Sequence, residues 1–217
     1  MRELKQPDPG AVAPQKPSVP GYPADLECDV TTMLGTTVHA RPIRPDDASR
    51  LVSFHQGLTS RSVYRRFFSV HPRLSDAEVE RFTCVDYVNR LALIAEVGGR
   101  LVAVARYDRS PGSSEAEVAF VVADDLQHHG IATLLLELLA HAAWRSGITT
   151  FVASTLVENR EMLDIFTHSR FDVSTSLDGG IVEVRFSIGP SYYRQTRTAR
   201  DPRDPDRAGH RNDPSAC

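Results

Sequence analysis

Apolar side chains recur along this chain in two rhythms, and the switches between them mark its elements. Thr36 to Arg41 reads as a short strand. Pro45-Asp46-Asp47 offers a helix start, because aspartate side chains can cap free backbone N–H groups. Ala48, Leu51, Phe54 and Leu58 follow at helical spacing. Arg61 to Phe68 reads as a second short helix. Ser75-Asp76-Ala77-Glu78 is a capping box with Val79 and Phe82 as the buried face behind it. The rhythm then changes to that of strands. Leu91 to Val97 and Leu101 to Tyr107 form a hairpin about Gly98-Gly99. After a polar loop with Pro111 and Gly112, the run Glu117 to Val122 predicts a strand buried on both faces.

Past Asp124-Asp125 the helical period returns. Ile131, Leu134, Leu135, Leu138 and Ala142 predict a long amphipathic helix ending near Ser146-Gly147. Thr149 to Thr155 is a strand, and Asn159 to Ser169 a helix with Met162, Ile165 and Phe166 inward. Phe171 to Ser176 and Ile181 to Ile188 make a closing hairpin about Asp178-Gly179-Gly180. The predicted fold class is α/β (α+β), with a mixed, mostly antiparallel sheet flanked by helices.

The ends lack these rhythms. Residues 6–23 hold six prolines and few large apolar side chains, and residues 190–217 hold arginines, aspartates and prolines without a period. Neither stretch can bury enough apolar surface to offset its ordering entropy. The expected organisation is a flexible proline-rich tail over 1–34, one domain over 35–189 and a disordered tail over 190–217.

The net charge of −3 and the absence of a basic stripe argue against a nucleic-acid partner. Cys28, Cys84 and Cys217 are odd in number and far apart, which argues against a disulfide framework or a zinc site and fits a reducing cytoplasm. No run of about 18 apolar residues is available for a membrane span, and the N-terminus has no apolar signal core. The only lysines are Lys5 and Lys16.

Candidate chemistry concentrates in Val122-Ala123-Asp124-Asp125-Leu126-Gln127-His128-His129-Gly130-Ile131-Ala132-Thr133. Here a strand ends, a turn follows and a helix begins. The first helical turn carries unpaired N–H donors and the positive end of the helix dipole, the set of donors a diphosphate needs. Gly130 and Ala132 keep the surface bare, so phosphate oxygens can approach the backbone. An ordinary strand–turn–helix connection would also allow a small residue here. The flanks are more telling: a Gln-x-x-Gly-x-Ala run, a strand glutamate about ten residues upstream, and an asparagine opening the next helix.

This pattern resembles the GNAT superfamily of N-acetyltransferases, with its Q/R-x-x-G-x-G/A signature. Arg61-Ser62-Val63-Tyr64-Arg65-Arg66-Phe67-Phe68, His71-Pro72-Arg73-Leu74-Ser75-Asp76-Ala77-Glu78, Val85-Asp86-Tyr87 and Ala103-Val104-Ala105-Arg106-Tyr107 are similar to the acyltransferase domain of bacterial protein lysine acetyltransferases. That group modifies an active-site lysine of acyl-CoA synthetases and often carries a fused sensor domain; none is recognisable in these 217 residues.

The resemblance implies acetyl-CoA as cosubstrate and a protein substrate. Backbone groups of Phe120, Val121 and Val122 would pair with the pantetheine arm. Gln127, His128, His129, Gly130, Ile131, Ala132 and Thr133 would hold the diphosphate, and Asn159 would contact the same ligand or simply cap its helix. Glu117 is the candidate general base, because a lysine ammonium of pKa about 10.4 must lose a proton before it attacks. Glu115, on the same strand face, and Glu96, on another strand, are the alternatives. Phe166 stands where the superfamily often has a tyrosine that protonates the departing thiolate, and Phe166 has no proton to give. Acyl transfer to an amine needs no metal, and none is expected. A small-molecule amine acetyltransferase and a non-catalytic acyl-CoA-binding sensor remain the competing functions.

Overall fold

The computed structural model describes residues 19–32 and 34–189. The C-terminal tail expected over 190–217, and most of the N-terminal one, lie outside the described residues. Eight strands form one sheet. In chain order they are β1 (Cys28–Thr31), β2 (Thr37–Pro42), β3 (Arg90–Val97), β4 (Arg100–Asp108), β5 (Glu115–Val122), β6 (Thr150–Leu156), β7 (Asp172–Asp178) and β8 (Ile181–Ser187). The spatial order is β1-β2-β3-β4-β5-β6-β8-β7. Five α-helices flank it: α1 (Ala48–Gln56), α2 (Ser60–Phe67), α3 (Asp76–Thr83), α4 (Ile131–Arg145) and α5 (Arg160–Thr167). The predicted class and nearly every predicted element are present.

One boundary differs. Cys28–Thr31, expected within a tail, pairs antiparallel with β2, from Cys28↔Ala40 to Thr31↔Thr37. Leu26 is buried in the core. Four residues are too few to show a period, and the prolines upstream mask the strand. Tyr22 helps to hold this segment: Arg44 lies 4.2 Å over its ring.

The core is built where both periods converge. Leu91 to Ala95 on β3 and Leu101 to Ala105 on β4 are almost fully buried, because small alanines alternate with branched residues at the centre of the sheet. Helix α4 packs on β3, β4 and β5 through Ile131, Leu135, Leu136, Leu139 and Ala143. Phe186 stacks on Phe166 at 5.4 Å and meets Phe151 and Phe171, both at 5.6 Å.

The turn before α1 carries more than a cap. Asp47 makes no side-chain cap to α1 itself; it accepts from the Arg44 backbone N–H at 2.9 Å, as the third residue of a capping box on the short turn Pro45–Asp47. It also accepts two hydrogen bonds from the guanidinium of buried Arg41, at 2.8 and 2.6 Å. Glu96 completes the cluster by accepting from Arg41 at 2.9 Å and from Arg50 at 3.0 Å. Burial acts against the charged forms, but Arg41 and the Arg44 N–H hold the Asp47 carboxyl below its ordinary range.

Removing one member of such a pair strands the other charge in the interior. Asp47→Ala should therefore lower unfolding stability by about 3 kcal/mol, toward the lower end of the buried-pair range because Glu96 still faces Arg41. The stabilisation is present above the unfolded pKa of about 3.9 and is lost as pH falls through the lower folded value. Denaturant melts should show Asp47→Asn flattening the acid limb of the stability profile. An unchanged limb would assign acid sensitivity to other groups.

Candidate functional site

The site originates in a divergence between two neighbouring strands. β5 pairs along most of its length with β4, from Asp108↔Glu117 to Ala103↔Val122. With β6 it pairs parallel at only three positions, Glu115↔Thr150, Ala116↔Phe151 and Glu117↔Val152. Beyond Glu117 the two strands separate, while β6 continues in register with β8 as far as Leu156↔Ile181. Val118 to Val122 therefore present a strand edge to a wedge instead of to a neighbour.

The wedge opens into a groove of about 470 Å3. Val118 to Val122 line it from β5, Ala153 to Thr155 from β6, and the first turn of α4 closes one end. Ser62, Arg65 and Arg66 reach it from α2, and Asn159, Met162 and Phe166 from the α5 region. The expectation that β5 is buried on both faces is thereby corrected. Ala116, Val118 and Phe120 are buried, whereas Glu115 and Glu117 are exposed and Ala119 and Val121 only half-buried. An unbroken apolar run suggests two covered faces; here part of that apolar surface faces a groove.

The turn after β5 has the backbone that its sequence requires. His128 adopts φ +64° and Gly130 φ +78°, so the chain enters the left-handed region twice in three residues. Alternation of this kind turns successive N–H groups inward and forms an anion-binding concavity. The first intrahelical bond runs from Leu134 N–H to the Gly130 carbonyl at 3.0 Å. The N–H groups of Ile131, Ala132 and Thr133 thus belong to the unpaired first turn, at the positive end of a 15-residue helix. Ile131 and Ala132 have buried side chains, so their contribution to a ligand is through the backbone. A Cβ at Gly130 would meet only Thr32, at an ordinary 3.8 Å. Glycine is required by the left-handed backbone, and bareness is secondary.

Side chains brace this turn. Gln127 donates its amide to Ser62 Oγ at 3.2 Å and to the Val122 carbonyl at 3.3 Å. Asp124 accepts from Thr59 N–H at 3.0 Å, Thr59 Oγ1 at 2.8 Å and Ser62 Oγ at 2.7 Å, and so ties the start of α2 to the turn. Partial desolvation opposes ionisation, but these donors hold the Asp124 carboxyl below its usual value. Asp125 pairs with Arg100 on the surface. His128 lines the groove; His129 is not among its lining residues and shares a hydrogen bond with Thr36 Oγ1 at 3.0 Å instead.

The two groups proposed for the far side also sit on the groove. Asn159 is 6% exposed, and its side chain makes no cap; its amide donates to Thr155 Oγ1 at 3.2 Å. Phe166 is 2% exposed and packs against Phe186 and, at 6.1 Å, against Phe120.

Three glutamates competed for the role of base, and their partners separate them. Glu96 is consumed by Arg41 and Arg50. Glu115 is paired with Arg185. Glu117 forms no ion pair or side-chain hydrogen bond among the described residues, lies at the last paired position of the wedge and lines the groove. Sequence reasoning did not find Arg65, Ser62 or Asp124 as parts of the site. Arg65 pairs with Glu161 of α5 at 2.6 Å, both on the groove. No local pattern connects Ser62 with Asp124 or Arg65 with Glu161, since the partners lie about 60 to 100 positions apart.

A left-handed residue other than glycine costs about 1–2 kcal/mol, and asparagine tolerates the conformation better than alanine. Chemical denaturation of Gly130→Ala and Gly130→Asn should therefore show the larger loss for alanine, despite its smaller side chain. The reverse order would indicate that space around Gly130 is limiting.

Comparison with known proteins is consistent with this geometry. Residues 60–169 match the Acetyltransferase (GNAT) family. Over 139 residues the chain is 33% identical to "Acetyltransferase Pat" of Mycolicibacterium smegmatis, an alignment covering 63% of this chain and 41% of that protein. The chain thus spans less than half the length of that relative. The GNAT domain of S. lividans PAT superposes with a TM-score of 0.73 at 41% identity, covering 76% of this chain and 99% of that one. The fold recurs in yncA from Salmonella typhimurium, solved with its cofactor acetyl-CoA, at a TM-score of 0.58 and 14% identity over 70% of this chain and 94% of that one. The chain belongs to the GNAT family of acetyltransferases.

Proposed function

We propose that this chain transfers an acetyl group from acetyl-CoA to an amine, and that the acceptor is a lysine side chain of a protein such as an acyl-CoA synthetase. The observation that carries the transfer reading is Glu117, an ionisable carboxylate without an ion partner at the point where the wedge opens. The residues present suit the ligand. A strand edge from Val118 to Val122 offers backbone donors and acceptors to an amide-bearing arm, in the manner of an added strand. The turn from Gln127 to Thr133 offers N–H groups to a diphosphate. When bound, acetyl-CoA supplies an activated acetyl thioester.

Each residue then has a limited task. Glu117 takes the proton from the incoming ammonium, directly or through water, and leaves a neutral nitrogen that can attack. Asn159, held by Thr155, and Gln127, held by Ser62 and Val122, keep the walls of the groove in place. Phe166 supplies an apolar wall. A thiol of pKa about 8.5 gives a tolerable leaving thiolate, so the mechanism assigned here contains no side-chain acid. The protein acceptor is supported by the likeness of residues 61–78 to lysine acetyltransferases and by the similarity to Pat. Asp124, Thr59 and Ser62 hold that same segment against the groove. A non-catalytic sensor would have no use for an unpaired carboxylate at the fork.

Two measurements test this reading. Glu117→Gln should retain acetyl-CoA affinity in calorimetry and lose roughly 10²–10⁴-fold in rate, a loss that narrows as pH approaches about 10.4 and free amine becomes abundant. Glu115→Gln, which breaks only a surface pair, should stay near the parent rate; if it falls and Glu117→Gln does not, the base has been misassigned. Incubation with labelled acetyl-CoA and a panel of an acyl-CoA synthetase, polyamines, an aminoglycoside and amino acids should place the label on a synthetase lysine. Label on a small amine alone would move the chain to the competing class.

A further inference from the structure

A second cavity of about 140 Å3 lies beside the groove, and Glu117 lines both. Its walls hold four guanidiniums, Arg66 of α2, Arg81 of α3, Arg90 of β3 and Arg106 of β4, against two carboxylates, Asp108 and Glu117. Two of the arginines have partners. Arg81 pairs with Asp108 at 2.6 Å, and Arg90 donates to the Cys84 carbonyl at 2.9 Å. The other two make no direct ion pair, although the charge of Glu117 acts on Arg66 across the cavity. Arg66 lies 4.9 Å over Phe67 and Arg106 3.9 Å over Phe82, and neither makes an ion pair or hydrogen bond among the described residues. A ring face steadies a guanidinium but leaves its N–H fork unsatisfied. Burial, and next the charge of Arg66, push the Arg106 guanidinium well below the ordinary arginine range. A pair of desolvated cations at an opening calls for an anion.

The position excludes the diphosphate as that anion. Glu117 stands five residues from Val122, or roughly 17 Å along an extended strand, and the diphosphate turn lies beyond Val122. The cavity instead adjoins the place where the acceptor amine must meet its base. We propose that Arg66 and Arg106 form an acceptor subsite that binds a carboxylate carried by the acceptor close to its reacting lysine. The proposal rests on the acetyl-transfer reading above and adds a preference to it: an acidic neighbour marks the lysine that is modified. Two planar forks suit a carboxylate because each can donate in bidentate fashion. The subsite also has a second effect, since filling it removes positive charge from the side of Glu117 that would otherwise compete with an incoming ammonium.

The full chain can be assayed with acetyl-CoA and lysine peptides in which one glutamate is walked through the neighbouring positions, each paired with its glutamine twin. At least one glutamate peptide should exceed its twin by about tenfold in kcat/KM, carried by KM and not by kcat. That ratio should fall to near one in Arg106→Gln. Arg66→Gln, at the end of the short helix α2 and outside the sheet, provides the same reading if Arg106→Gln fails to fold. In parallel, side-chain NMR of arginine-labelled protein titrated with glutarate should shift the Arg66 and Arg106 Nε–H signals, while the neutral diamide leaves them in place. If peptides react without a glutamate preference, or keep it in both variants, the subsite is wrong while the acetyl-transfer reading stands. If glutarate binds but no lysine peptide reacts, the lysine acceptor is wrong and only the anion pocket survives. If glutarate leaves both signals unmoved, the pocket is not an anion site.

Discussion

The failure of β5 to stay paired with β6 is the constraint on which this structure depends. Three paired positions fix the strands side by side up to Glu117 and Val152, and the rest of β5 is left with a free edge. An unpaired strand edge is a liability, because its N–H and C=O groups seek partners. Here the edge faces a groove whose other walls come from α2, α4 and α5. The wedge can persist because each strand is secured on its other side, β5 by β4 and β6 by β8. The long β4 hairpin and the closing β7–β8 hairpin therefore serve the site as scaffolding, although neither forms its centre.

Charge is divided with equal economy. Several carboxylates of the described residues are occupied. Glu96 and Asp47 lock α1 to the sheet around Arg41, Glu115 meets Arg185, and Asp124 holds Thr59 and Ser62 at the start of α2. Partners outweigh desolvation at Asp47, Glu96 and Asp124 and hold those carboxyls below their ordinary range, which makes them poor proton acceptors. Glu117 differs in making no ion pair or side-chain hydrogen bond among the described residues, its nearest cation being Arg66 across the cavity, and not in residue type or in strand position. The distinction between a structural and a reactive carboxylate rests here on neighbours contributed by distant segments.

That explains what could and could not be read from the sequence. The Gln127–Gly130–Ala132 turn was legible because its chemistry is local: a strand end, left-handed residues and a helix start are all encoded within a dozen positions. The helices and hairpins were legible from period alone. The strand Cys28–Thr31 was not, since four residues between prolines show no period and its identity comes from pairing with β2. The covered faces of β5 were misread because groove-lining and core-facing residues can both be apolar; Val121 and Phe120 look alike in sequence and differ in what they face. His129 sits in the motif but hydrogen-bonds to Thr36, an interaction set by the β1–β2 turn. The glutamates on one strand face were indistinguishable until Arg185, some 70 residues away, was seen to neutralise Glu115.

Helix α2 connects these parts. It has eight residues and three of them, Ser62, Arg65 and Arg66, fall at spacings that share a helix face. Ser62 holds the turn through Asp124 and Gln127. Arg65 crosses the groove to Glu161 on α5. Arg66 lines both the groove and the neighbouring arginine cavity. A helix this short has little stability of its own, and its place is set by its ends. Thr59 caps the first turn, and Phe68 ends the helix in a left-handed conformation at φ +55°. The two chambers on either side of Glu117 are thus defined by one short element whose anchor, Asp124, belongs to the cosubstrate turn. A displacement of that turn would be transmitted through Asp124 to α2, and from α2 to the guanidiniums beside Glu117. On the function proposed above, the acceptor side and the diphosphate side would then share a support, α2, without any contact between the two ligands.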